Sequence, residues 1–167
     1  MSIVSKQAEP DRPIRPGVPT PVRKEAACIA ALRVVLSDTV VFQFMAQGFH
    51  WNVSGRDFVQ LHDLFGDIYE DAQAAIDPTA ENIRKMDGEA PYLLGDFQRY
   101  TTLDQVATPV DATTMIRTLM AANEQVVASL NGAFAIANDL NLQGIADFLA
   151  GRIDMHKKWG WMLRESI

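Results

Sequence analysis

Residues 58–75, FVQLHDLFGDIYEDAQAA, carry apolar side chains at Phe58, Leu61, Phe65, Ile68, Ala72 and Ala75, in steps of three and four. That spacing is the period of a one-sided helix that buries one stripe and leaves the rest to water. The turn residues Asn52 to Asp57 precede it, with Gly55 as breaker and Asp57 placed to cap the helix that follows. Before the turn, Glu25 to Val53 holds no proline and only Gly48 as glycine, which reads as a first long helix. The second helix extends to about Met86 and stops at Asp87-Gly88.

Farther along, Met115, Leu119, Ala122, Val126, Leu130, Ala133 and Ala137 make a near-heptad seam, so a third long helix is expected over about Asp111 to Asn138. A fourth is expected from Leu142 to about Glu165, with Ile145, Leu149, Ile153, His156, Trp159 and Leu163 near one face. Residues 88–110 contain Gly88, Pro91, Gly95 and Pro109 and leave room only for a short helix around Leu94 to Tyr100. Four amphipathic helices without an alternating strand pattern predict an all-α four-helix bundle. The single long connection, able to cross from end to end, is its ferritin-like variant. At 167 residues, one core is expected.

Ahead of the first helix, residues 1–24 contain Pro10, Pro13, Pro16, Pro19 and Pro21 and five basic side chains against two acids. They read as an extended, weakly basic tail, separate from a bundle over residues 25–167. The net charge of −6 argues against a body that wraps nucleic acid by itself. The single cysteine, Cys28, excludes an intramolecular disulfide framework. Its apolar neighbours point to a small buried side chain. The first residues lack the apolar run of a signal peptide, and no membrane span is foreseen, so a cytoplasmic location is expected.

Two groups of side chains carry candidate chemistry. His50 and His62 lie six residues either side of Arg56, so an antiparallel hairpin sets them at one height, roughly 9 Å from the turn. Two imidazoles at one level can bind a first-row transition metal. Taken singly, each also reads as a polar residue at a helix end. Asp77 and Glu81, spaced i, i+4, share a face of the second helix. They read either as ligands or as a solvated acidic face, and Pro78 suggests a local disturbance of the helix. Asp77 lies 15 residues beyond His62, roughly 22 Å along the helix, so no ion can be held by both within one chain. A two-fold dimer with these helices antiparallel would bring them together twice.

Residues 50–58 (HWNVSGRDF), 61–65 (LHDLF) and 77–84 (DPTAENIR) together resemble the metal-site signature of the Dps, or mini-ferritin, family. Residues 156–164 (HKKWGWMLR) resemble that family's last helix, and the likeness covers about residues 25–167. The resemblance implies a dodecameric cage with iron-oxidising centres between subunits: His50 and His62 as histidine ligands, Asp77 and Glu81 as carboxylate ligands from the neighbour. It implies Fe(II) oxidation, commonly with hydrogen peroxide, and storage of ferric mineral, with protection from oxidative damage as the outcome. Trp51 would lie beside the centre, as a packing residue or an electron donor. One departure stands out. The family often has an aspartate four residues after the second histidine, where this chain has Gly66, and Asp67 is turned about 100° away. A second iron position is therefore expected to be weak, water-filled or absent.

Other readings are set against this one. A ferritin or bacterioferritin with its di-iron site inside one bundle would need Glu-x-x-His motifs, and the sequence has none. A DNA-compacting protein would use the basic tail, multiplied by oligomerisation into useful avidity. A purely structural bundle would leave the polar groups solvated. His156 is a further candidate ligand or an internally satisfied histidine, and Asp139 and Asp147 are candidate iron-entry residues.

Overall fold

The computed structural model describes residues 25–105 and 111–167; the proline-rich tail, with the DNA contacts expected of it, lies outside the described residues. Within them the chain forms α1 (Ala26–Asn52), α2 (Phe58–Lys85), the short α3 (Leu94–Tyr100), α4 (Ala112–Asp139) and α5 (Gln143–Arg164). The described residues hold no strand. α1 and α2 pair as one hairpin, α4 and α5 as another, and α1 packs on α4 to join them. The connection between α2 and α4 carries α3 across the outside of α1. These are the expected four long helices with one crossover.

α1 is the central element. Around its middle, Val35, Leu36, Ser37, Asp38, Thr39, Val41, Phe42 and Gln43 are all buried, because α2, α3 and α4 cover it on several sides. By length and composition it could cross a membrane, yet 56% of its most apolar window is buried inside the bundle. Phe42, Phe65, Leu119, Leu130 and Leu149 fill the core from four helices. Each such side chain contributes about 2 kcal/mol by leaving water. Cys28 is fully buried beside them. Burial, with the charge of Glu25, pushes its thiol pKa up, so it is an unreactive packing residue.

Helix ends show where local rules held and where they did not. Asp111 has extended backbone and its carboxylate accepts from the Thr114 amide at 3.0 Å, a working cap for α4. Asp57 occupies the corresponding position of α2 at φ −101° and ψ 27° and makes no side-chain cap bond, which corrects the expectation from sequence. Its backbone is not in the extended region from which a short acid reaches the first-turn amides. The Asp87-Gly88 stop is real, with the roles shared differently. Asp87 takes the left-handed conformation (φ 60°), and the amides of Asp87 and Gly88 bond back to Arg84 and Ile83. Gly88 is required by packing, since a Cβ there would lie 2.9 Å from methyls of both Ile29 and Ile83. Pro78 does not break α2, which runs through it. The carbonyl it deprives of a partner belongs to Ala74, on an exposed turn where water can serve.

The crossover is anchored by a buried acid. Asp38, fully buried in α1, accepts four hydrogen bonds: from the Thr101 hydroxyl (2.8 Å), the Thr102 amide (2.6 Å) and hydroxyl (2.9 Å), and the Ser129 hydroxyl on α4 (2.6 Å). One carboxylate thereby fixes the end of α3 against α1 and α4.

Candidate metal centre

The last turn of α1 and the second turn of α2 face each other across the hairpin, and each presents a histidine. The rings of His50 and His62 stack with centroids 3.7 Å apart and planes 23° from parallel. His50 Nδ1 lies 2.7 Å from the His62 carbonyl, and His62 Nδ1 lies 2.9 Å from the His50 carbonyl. A carbonyl only accepts, so both Nδ1 atoms carry the hydrogen. Each ring is thus held in the tautomer that leaves its lone pair on Nε2, the arrangement that orients metal-binding imidazoles. The His50 carbonyl lies in the last turn of α1, where helix geometry leaves carbonyls without partners.

Around this pair, Tyr69 meets the His50 ring edge-on (centroids 5.2 Å, 68°), and Phe58 lies 5.2 Å from the His62 ring. Gly66, one turn beyond His62, is buried beneath His50: a Cβ there would sit 3.3 Å from His50 Nδ1. The position one turn after the second histidine therefore points into the site, and here it supplies no side chain. Asp67 is exposed.

The other sequence-predicted residues are placed apart. Trp51 is 62% exposed, and the ring it meets is Phe44, edge-on at 6.5 Å. Asp77 and Glu81 are exposed on the distal half of α2, flanking Pro78. Among the described residues no three His, Cys, Asp or Glu side chains gather to hold an ion. One chain offers two nitrogen donors and, about 22 Å away by helix rise, two carboxylates.

His156 belongs to a different cluster. It is buried in the bundle, its Nδ1 donating to Asn123 Oδ1 at 2.8 Å while Asn123 Nδ2 donates to the His156 carbonyl at 2.9 Å. Burial, reinforced by the charge of Arg152 and opposed by Asp71, lowers its pKa to about 3, so the ring is neutral. Asp71 on α2 receives both guanidinium nitrogens of Arg152 (2.9 and 2.7 Å) and the Trp159 indole N–H (2.9 Å). Burial alone would raise the Asp71 pKa, but these donors outweigh it and leave it lowered. Asp139 and Asp147 are exposed near the α4–α5 turn.

Sequence reasoning missed Tyr69 and the Asp71 cluster. Tyr69 had a signal: seven residues beyond His62 is two turns, hence the same face. Asp71 and Arg152, 81 residues apart, had none.

Residues 29–167 match the ferritin-like domain family. A low temperature-induced protein of Nostoc sp. is 33% identical over 134 residues, 79% of this chain and 75% of that protein. The DNA protection during starvation protein 2 of Bacillus anthracis is 26% identical over 136 residues, 81% of this chain and 93% of that protein. The fold is similar to Dps from Thermosynechococcus elongatus (24% identity, TM-score 0.82, 85% of this chain and 90% of that one). It is equally similar to a Dps protein from Bacillus brevis (23% identity, TM-score 0.83, 87% and 98%). With a paired-histidine hairpin on a four-helix bundle with one crossover, and with these relatives, the chain belongs to the ferritin-like family, as a mini-ferritin of the Dps type.

Proposed function

We propose that this protein oxidises ferrous iron at centres shared between two subunits and stores the ferric product in an oligomeric cage. Iron storage and stress protection are the general functions of its family. The observation that carries the finer reading is the reciprocal bonding of His50 and His62, which leaves two Nε2 lone pairs at the hairpin end. Imidazole and carboxylate donors together suit iron, and the carboxylates favour the ferric state electrostatically.

His62, Gly66, Tyr69 and Asp77 fall within a sector of about 80° on α2 at 100° per residue. Two α2 helices packed antiparallel along that stripe, with the dimer axis near roughly residue 70, set each histidine pair opposite the partner subunit's Asp77 and Glu81. The full assembly proposed is a dodecamer built from such dimers, with Asp139 and Asp147 as entry-path acids and residues 1–24 as a tail outside the bundle of residues 25–167.

Hydrogen peroxide is the proposed oxidant. Two ferrous ions each give up one electron; peroxide takes both, with two protons, and leaves as two waters. The ferric ions then hydrolyse to an oxide-hydroxide mineral, releasing protons. Consuming iron and peroxide together removes both sources of hydroxyl radical. The residues of this chain would supply the ligands, and the reciprocal Nδ1 bonds fix the tautomers of the two histidines.

Complementation between subunits tests the reading. Asp77→Asn with Glu81→Gln, and His50→Ala with His62→Ala, should each abolish fast ferrous oxidation followed by ferric absorbance. Dimers mixed from the two variants carry one complete centre and one empty one, and should recover about half the wild-type rate, since each dimer has two interfacial sites. Absence of recovery in mixed dimers of verified composition would overturn the shared centre.

The basic tail supports a second, independent reading, non-specific binding of DNA by the assembled particle. A salt-dependent gel shift lost on deleting residues 1–24 would establish it; no shift at low salt would remove it.

A further inference from the structure

Four of the five prolines ahead of α1 recur every third residue: Pro10, Pro13, Pro16 and Pro19. A left-handed polyproline helix has three residues per turn, so that interval would set the prolines along one edge as a ridge. Aromatic-walled grooves recognise such ridges at little entropic cost, because proline is confined before it binds. Within residues 9–13, Glu9 and Asp11 against Arg12 leave one excess negative charge around the first two prolines.

The bundle offers a groove of matching size and sign. Between α4 and α5 lies a half-open cavity of about 590 Å³, walled by Trp161, which is 54% exposed. Gly160 shapes it. A Cβ there would lie 3.1 Å from Asn123 Nδ2, and its absence leaves a trough beside the indole. Met120 and Val127 give the trough an apolar floor. They stand seven residues apart on α4, about 10 Å, and one polyproline turn advances about 9 Å. On the rim, Lys157 and Arg164 of α5 against Glu124 of α4 leave one excess positive charge, opposite to that of residues 9–13. The pairing of Arg164 with Glu165, at 3.7 Å and exposed, is weak enough to be exchanged for another carboxylate.

We infer that residues 9–13 of the chain's own tail dock in this groove as a polyproline turn, with Pro10 and Pro13 against Trp161. Glu9 and Asp11 then meet Lys157 and Arg164, and Arg12 meets Glu124. Chain length permits this within one subunit. His156 lines the groove and packs on Phe42 with centroids 5.3 Å apart. Phe42 is 16 residues beyond Ala26 on α1, roughly 24 Å along the helix. Residues 14–24 can span up to about 36 Å when extended, which covers that rise and the step across the bundle. Docking holds the acids of the tail on the body and leaves Arg15, Arg23 and Lys24 in the outer span.

The test uses the assembled full-length protein carrying Trp51→Phe, so that acrylamide quenching of fluorescence reports Trp161; Trp159 is 5% exposed and contributes little. Deleting residues 1–24 should raise the quenching constant several-fold. Pro10→Ala with Pro13→Ala should raise it nearly as far, although the tail keeps its length and charge. Trp161→p-benzoylphenylalanine, irradiated and mapped by mass spectrometry, then identifies the occupant. Cross-links to residues 9–13 support the docking. Quenching that is equal with and without the tail overturns it. So do cross-links confined to residues 25–167 of a second copy, which would make the groove an interface between bundles.

Discussion

Two polar clusters, each containing a histidine with its Nδ1 hydrogen-bonded, occupy different parts of the bundle and have opposite characters. Asp71, Arg152, Trp159, Asn123 and His156 lie between helices of one chain, and the strong donors and acceptors there answer one another. His50 and His62 sit at the open end of a hairpin, and their mutual bonds use only the Nδ1 side of each ring. The first cluster is closed: its chemistry is spent on holding helices together. The second is open, with ring nitrogens left over and, among the described residues, no third His, Cys, Asp or Glu gathered beside the pair. Histidine content alone does not separate them. What separates them is burial of the ring: His156 is 1% exposed, whereas His50 and His62 are half-buried at the hairpin end.

The largest expected break in this comparison is by acid. His156 has a folded pKa of about 3 against an ordinary 6.5, so the unfolded chain binds a proton more readily. Its contribution to stability is complete above pH 6.5 and is lost as pH falls toward 3, about 5 kcal/mol in full. Asp71, lowered from 3.8, adds its own loss only below that pH. Guanidinium unfolding followed by circular dichroism from pH 7 to 3 should show stability falling across this window, and His156→Gln should flatten the upper part. An unchanged acid slope in that variant would mean the ring is already solvated.

Next in size is Asp71→Ala. It leaves the Arg152 guanidinium and the Trp159 N–H without their acceptor in a site only 14–20% exposed, at a cost of about 3 kcal/mol. Asp38→Asn follows at about 2 kcal/mol, because an amide can accept through one oxygen where the carboxylate accepts through two from four donors. Thermal unfolding measures both. A loss under 1 kcal/mol for Asp71→Ala would show that the cluster is not closed in solution.

The contrast also explains what could be read from sequence. The four long helices and the short Leu94–Tyr100 helix follow from periodicity and from Gly and Pro placement, which act locally. His50 and His62 were legible as neighbours because a hairpin converts equal sequence distance from a turn into equal height. Gly66 was legible as a missing donor, and its direction into the site is now explicit. Asp38 and Asp71 were not legible: each is an acid in an amphipathic helix whose partners lie 63 to 91 residues away, and no period encodes that pairing. The Asp57 cap failed for a smaller reason of the same kind. Residue type suggested a cap, and backbone conformation, set by the hairpin, decided otherwise.

At the open cluster the expected stability effects shrink while the functional ones grow. His62→Ala removes its own Nδ1 bond and the ring stacking and should cost about 1 kcal/mol, while leaving the bundle folded and abolishing fast iron oxidation. Smallest of all is the pair Asp77→Asn and Glu81→Gln. Both side chains are exposed on α2, so their replacement should change unfolding free energy by less than about 0.5 kcal/mol. A surface acid with no structural task and a large effect on iron oxidation is the signature expected of a ligand donated to a neighbour. Melting temperature and ferric absorbance measured on the same variant separate the outcomes. Unchanged melting with lost oxidation places these carboxylates in the neighbour's centre; unchanged melting with full oxidation reduces them to a solvated face and leaves the histidine pair without its partners.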